Sequence, residues 1–234
     1  MKYENVIEGT FIKRENRFIS LCRINGIIEK VYVPNTGRCE ELFVEGRKVY
    51  LTKHNDLNRK TKFTLIHIYK KDLLINIDSQ APNKIVEEAL IQKDILKEYN
   101  LTRIKRESTY GNSRFDFYLE GFDDKNKPFK GYLEVKGVTL ENNGHSMFPD
   151  APTLRGLKHL KELSVAKQDG YYAFVVFVVQ MNPIIDFIPN TKMQEDFSKE
   201  LKLAINNGVH CLCFQCDVKK DTVNFLNEIP LGNF

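Results

Sequence analysis

The run Tyr171–Gln180, YYAFVVFVVQ, constrains this chain more than any other stretch. It is almost unbroken apolar, rich in Val and Phe, and far too short for a membrane span, which is the pattern of a strand buried on both faces. Such a strand needs cover on both sides, and amphipathic segments flank it. A helix is expected over about Thr153–Gln168, with Leu154, Leu157, Leu160 and Leu163 on one stripe and Gly170 as its stop. A second is expected over about Gln194–Asn206, ending at Gly208. Upstream, Asn83 is positioned to cap a helix running to about Leu96. Downstream, Val209–Cys216 and Val223–Ile229 read as strands. From residue 81 the order is helix, two or three strands, helix, strand, helix, strand, strand, which makes a mixed sheet flanked by helices.

The chemistry concentrates in residues 107–140. Ser113–Leu119 and Tyr132–Leu140 are strand-like, and the cluster Asp123–Pro128 between them is a turn, giving an antiparallel hairpin. Side chains two apart on a strand share a face, so Glu134 and Lys136 stand together while Leu133 and Val135 turn away. Asp116 lies on the partner strand. If the register brings it opposite, two carboxylates and an amine meet among apolar neighbours, where charge is costly unless it is paired or holds a cation. Two carboxylates at this spacing can share Mg²⁺ or Mn²⁺, and the lysine can position an attacking water or neutralise charge at phosphorus. Asp, then Glu-x-Lys on the next strand, resembles the PD-(D/E)xK nuclease core, with Phe115 where that name has Pro. A surface salt bridge between Glu134 and Lys136 accounts for the same spacing.

Residues 4–78 divide into short strands at Val6–Lys13, Phe18–Ile24, Ile27–Val33, Lys48–Lys53, Phe63–Tyr69 and Leu73–Ile77, broken by Asn, Gly and Asp. This spacing fits a small barrel, best an OB-fold, rather than alternating βα units. Residues 1–80 carry 15 Lys and Arg against 10 Asp and Glu, while the whole chain has a formal charge of +4, so the positive excess sits in the barrel segment. Contact with a polyanion is expected there, although solvated surface explains the same excess. Pro34–Arg38 reads either as a phosphate-binding loop or as a tight turn with Gly37 at positive φ. Five unevenly spread cysteines fit reduced thiols, and Cys211-x-Cys213-x-x-Cys216 has no second pair to complete a zinc site. The start of the chain does not read as a signal peptide, so a cytoplasmic location without membrane association is expected. No P-loop, dinucleotide fingerprint, HExxH or GxSxG is present.

Seven segments together resemble the sugar fermentation stimulation protein (SfsA) family. They are VPNTGR at Val33–Arg38, Arg59-Lys60-Thr61, PNKIVEEAL at Pro82–Leu90, YGNSRFDF at Tyr110–Phe117, LEVKGVTL at Leu133–Leu140, FPDAPTLRGLKHLKEL at Phe148–Leu163, and GVHCL near the end. The resemblance implies an α/β chain (α+β overall), with an OB-like β-barrel over residues 1–80 and a restriction-endonuclease-like mixed-sheet domain over 81–234. It implies DNA binding with little sequence preference, single strands included, and leaves the oligomeric state open, a homodimer among the options. By the same resemblance Glu88 joins Asp116 and Glu134 as a metal ligand, and Asp116, Glu134 and Lys136 form the catalytic set. Arg38, Arg59, Lys60, Arg114, Arg155 and His159 are the expected nucleic-acid contacts.

Overall fold

The computed structural model describes residues 1–35, 37–56 and 58–234; Thr36 of the Pro34–Arg38 loop and Leu57 lie outside the described residues. Six strands open the chain: β1 (Val6–Arg14), β2 (Ile19–Ile24), β3 (Ile27–Tyr32), β4 (Lys48–Lys53), β5 (Phe63–Lys70) and β6 (Leu73–Asn76). They run in the order β3-β2-β1-β4-β5-β6, and parallel pairing of Val31 with Phe63 and Tyr32 with Thr64 joins β3 to β5. That pairing closes a five-stranded OB barrel around Phe11, Cys22, Val31, Leu51 and Leu65. Alternation along β2, with Ser20, Cys22 and Ile24 buried, aims one face of each strand inward.

Helix α1 (Ala81–Gln92) follows, then the long strands β7 (Asn100–Tyr110), β8 (Ser113–Phe122) and β9 (Pro128–Val138). Asn83 does not cap α1. The cap position is Gln80, Pro82 occupies the first turn where its missing N–H costs nothing, and Asn83 is free to reach outward. The helix stops at Lys93, which adopts the left-handed conformation and returns its N–H to Leu90. The expected β8–β9 hairpin forms, its turn held by Asp123, which accepts from the backbone N–H groups of Lys125 and Lys127. Strand β7 completes a three-stranded unit on the far side of β8.

Past β9 the chain forms β10 (Leu140–Asn142) and β11 (His145–Phe148). Next come α2 (Leu154–Gln168), β12 (Tyr172–Val179), β13 (Asp186–Pro189), α3 (Glu195–Asn206), β14 (His210–Val218) and β15 (Val223–Glu228). Strand β10 pairs with β11 and β11 with the distant β13 in a small sheet of their own, a partnership no local signal announces. The main sheet runs β15-β14-β12-β9-β8-β7, with β12 central and parallel to both neighbours. From Ala173 to Val179 every side chain on β12 is buried. Its two faces feed two cores, one shared with α2, α3 and the barrel, the other with α1. Thr153 caps α2 by accepting from the Gly156 N–H.

The barrel and the second domain are fixed to each other by the shared apolar core, by the Lys70–Glu141 ion pair at 2.5 Å, and by buried amides. Gln180 Nε2 donates to Asn76 Oδ1 at 2.6 Å and to the Asp78 carbonyl at 3.1 Å. Gly37 of the barrel loop lies against the second domain. A side chain there would strike the Asp150 carboxylate and Asn35 Oδ1, so glycine is needed for the close approach of the barrel loop to the second domain. No described helix is long and apolar enough to cross a membrane.

Candidate functional site

Strands β8 and β9 pair in register up to Phe117 opposite Leu133, and there the ladder ends. Beyond that point Phe115 packs into the core under α2 while Phe117 packs into the core under α1, although residues two apart on a regular strand share a face. The strands fork at Asp116. Its carboxylate bridges the fork, with Oδ2 accepting from the Val135 N–H at 2.8 Å and Oδ1 accepting from Asn83 Nδ2 at 2.7 Å.

Glu134 sits on the other prong. It is buried, its Oε1 accepts from Lys136 Nζ at 2.6 Å, and the same oxygen meets His159 Nδ1 from α2. The pair is no surface salt bridge, since the Glu134 and Lys136 side chains are 5% and 12% exposed. Arg155 Nε donates to His159 Nε2 at 3.4 Å, which leaves Nδ1 as the nitrogen that donates to Glu134. Glu134 Oε2 is shielded from solvent and has no hydrogen-bond partner among the described residues.

Electrostatics drive the two acids apart. Burial, followed by the Glu134 charge, pushes the Asp116 carboxyl above its ordinary value against the Val135, Asn83 and Lys136 contributions. Burial alone would raise Glu134 too, but the Lys136 charge and the His159 bond outweigh it and hold that carboxyl below its ordinary value. One neighbouring acid raised and the other lowered is a pattern common at functional sites.

Asp116, Glu134 and Lys136 thus meet at the fork, but Glu88 does not join them. Its Oε2 accepts from the Met1 amino group at 2.7 Å, on the side of α1 that faces β15. Asn83 and Glu87, four residues apart, share the other face, and Glu87 pairs with Arg106 of β7. Among the described residues no three His, Cys, Asp or Glu side chains are gathered as a metal-binding set. His159 is a correction as well: expected at the surface, it is buried beneath Glu134 because the apolar stripe of α2 carries it inward beside Leu160 and Leu163. Arg38, Arg59, Lys60 and Arg155 are exposed, and Arg114 is exposed but paired with Glu107. Sequence reasoning missed Asn83 as a partner of Asp116, although a side-chain amide one turn into a helix that packs over the acid was the available signal.

A closed OB barrel joined to a mixed sheet whose strand fork carries Asp116, Glu134 and Lys136 defines a two-domain protein with a restriction-endonuclease-like second domain. The family model described as the SfsA N-terminal OB domain matches residues 12–77, and that described as the sugar fermentation stimulation protein RE domain matches residues 80–222. A "Sugar fermentation stimulation protein homolog" of Clostridium botulinum (strain Hall) is 50% identical over 230 residues, covering 97% of each chain. A homolog of the same description from Clostridium beijerinckii is 47% identical over 231 residues, covering 99% of each. Among solved structures, Pyrococcus furiosus SfsA in complex with Ca²⁺ superposes with a TM-score of 0.87 at 27% identity, covering 100% of this chain and 98% of the other. The chain belongs to the sugar fermentation stimulation protein family.

Proposed function

We propose that this protein binds DNA with little sequence preference and carries, at the β8–β9 fork, a divalent-metal site equipped for phosphodiester hydrolysis. The observation that carries the reading is Glu134 Oε2, a buried carboxylate oxygen with no donor, beside a second acid that feels its charge. A buried anionic oxygen left unpaired is costly, and that donor set suits a hard cation that takes one or two carboxylates and fills its shell with water and phosphate oxygens. The Ca²⁺ complex of the Pyrococcus relative supports the same choice of ion class. Asp116 and Glu134 would hold Mg²⁺ or Mn²⁺; when bound, the ion supplies Lewis acidity toward a phosphoryl oxygen.

The chain's own residues do the rest. Asn83 and the Val135 N–H fix the Asp116 carboxylate, and His159 with Lys136 fixes Glu134, so neither acid spends rotamer freedom on binding. Lys136 lies beside both acids and positions the attacking water. Arg38, Arg59, Lys60, Arg114 and Arg155 present cations to the nucleic-acid backbone. A second reading, a non-catalytic DNA-binding regulator of sugar metabolism, draws support from Glu134 Oε1 being already engaged by two donors and from Glu88 standing apart.

Incubating plasmid and single-stranded DNA with the protein in Mg²⁺, Mn²⁺ or EDTA, beside Lys136→Ala, separates the two. Metal-dependent cutting by the wild type alone is the expected result. Binding without cutting in either metal sinks the hydrolytic reading and leaves the regulator.

A further inference from the structure

A cleft of ≈ 530 Å³ opens where the barrel meets the second domain. One wall is the barrel's Arg17, Asn35 and Arg38; the opposite wall and floor include Pro82, Gly137 and Thr139. The floor is next in sequence to two residues of the site at the fork. Pro82 precedes Asn83, which holds Asp116, and Gly137 follows Lys136, which holds Glu134. Gly137 keeps this junction open, because a side chain there would collide with Gln180 and Pro82.

The barrel wall is rigid and positively charged. The Arg14 guanidinium donates to the carbonyls of Asn16, Arg17, Asn35, Gly37 and Arg38, and lies 4.4 Å from the Phe43 ring centroid, so one side chain fixes the two loops that carry Arg17 and Arg38. Among the described residues neither Arg17 nor Arg38 has a carboxylate within ion-pair distance, whereas Arg103, Arg106 and Arg114 near β8 are all paired with glutamates. Asp150 also lines the cleft, turned toward Cys39 at 3.7 Å from the thiol. Two free guanidiniums on a preformed wall suit phosphodiester oxygens, which they can engage in bidentate fashion.

Size selects the form of nucleic acid. A volume of ≈ 530 Å³ is too small to take in a duplex, whose strands stand on either side of a major groove roughly 12 Å wide. We propose that the interdomain cleft is the path of a single nucleic-acid strand, whose backbone lies on Arg17 and Arg38 and whose next phosphate reaches Asp116, Glu134 and Lys136. The barrel then acts through its interdomain loops, as one jaw of a clamp on unpaired strand. This rests on the nucleic-acid-binding half of the proposed function and is independent of hydrolysis.

The test is fluorescence anisotropy in EDTA with a labelled oligo(dT) strand and a blunt duplex of the same length, so that metal and cutting play no part. The wild type should bind the single strand more tightly than the duplex. Arg17→Ala/Arg38→Ala should weaken single-strand binding about tenfold or more and lower the salt slope by about 2 × 0.7, the single-strand value for two lost phosphate contacts. Lys199→Ala/Lys202→Ala, on α3, should stay within about twofold of the wild type, and circular dichroism confirms that each variant is folded. Equal affinity of the Arg17/Arg38 variant and the wild type overturns the proposal while leaving nucleic-acid binding intact, and so does preference for the duplex. Displacement of the strand by millimolar inorganic phosphate, beyond that of chloride at equal ionic strength, also overturns it in favour of a small-anion site. Failure of the wild type to bind either oligonucleotide overturns both this proposal and the function it rests on.

Discussion

Asn83 Nδ2 donates to Asp116 Oδ1 across 2.7 Å, so the first helix of the second domain and the acid at its strand fork behave as one unit. Removing the amide with Asn83→Ala leaves a half-buried carboxylate oxygen with no protein donor. Hydrogen bonds to charged groups contribute about 1.5–3 kcal/mol, and solvent reaching Asp116 reduces that, so a loss of about 1–2 kcal/mol in urea unfolding is expected. The Asp116 carboxyl should also rise further, read by ¹³C carboxyl titration; an unchanged titration would detach Asn83 from the site.

Glu134 gives the protein an acid-sensitive ion pair. Its folded carboxyl lies below the unfolded value of about 4.3, so its contribution is complete above that value and is lost as pH falls through the depressed folded value. Asp116 has the opposite sign. Its carboxyl is raised, so its contribution is present below the unfolded value of about 3.9 and is lost as pH climbs through the folded one. Glu134→Gln should therefore cost about 3 kcal/mol at pH 7, by leaving the nearly buried Lys136 amine without its anion, and the cost should shrink steadily below about pH 4.3. Chemical denaturation of both proteins from pH 3 to 7 measures the difference; a gap that does not narrow in acid contradicts it.

Divalent cations should raise the melting temperature in a concentration-dependent way. An ion present at 100 times its dissociation constant stabilises by about 2.7 kcal/mol. Ca²⁺, Mg²⁺ and Mn²⁺ should each shift the wild type in scanning calorimetry and leave Glu134→Gln unmoved. Equal shifts in both proteins would locate the ion elsewhere.

Gly37 lies against the Asp150 carboxylate where the barrel loop meets the second domain. Gly37→Ala forces a methyl group against the Asp150 carboxylate, and overpacking of this kind costs about 1–3 kcal/mol. Asp150→Ala should recover most of that loss, and a double-mutant cycle on thermal unfolding reads the coupling directly. Additive effects would mean that the loop moves aside without strain.

Much of the fold was legible because its signals are local. The first six strands fall within a residue or two of the runs that predict them, and β12 follows from its unbroken apolar stretch. The side-by-side placement of Glu134 and Lys136 was equally legible, since a period of two fixes which residues share a face. The small β10-β11-β13 sheet was not, because its strands are three or four residues long and two of them reach a partner some forty positions away.

What the sequence by itself determined was therefore the set of elements and the face each residue occupies within its own element. Tertiary structure alone decided how those faces meet. A rotation of one residue, about 100°, on α1 turns Asn83 toward β8 and Glu87 toward β7 and sends Glu88 to the Met1 amine. The apolar stripe of α2 carries His159 inward until it touches Glu134. The parting of β8 from β9 at Asp116 breaks the very alternation that made the strands readable. Each depends on the angle and depth at which one element packs on another, which is set by the sum of many side-chain volumes and is written in no single stretch of the chain.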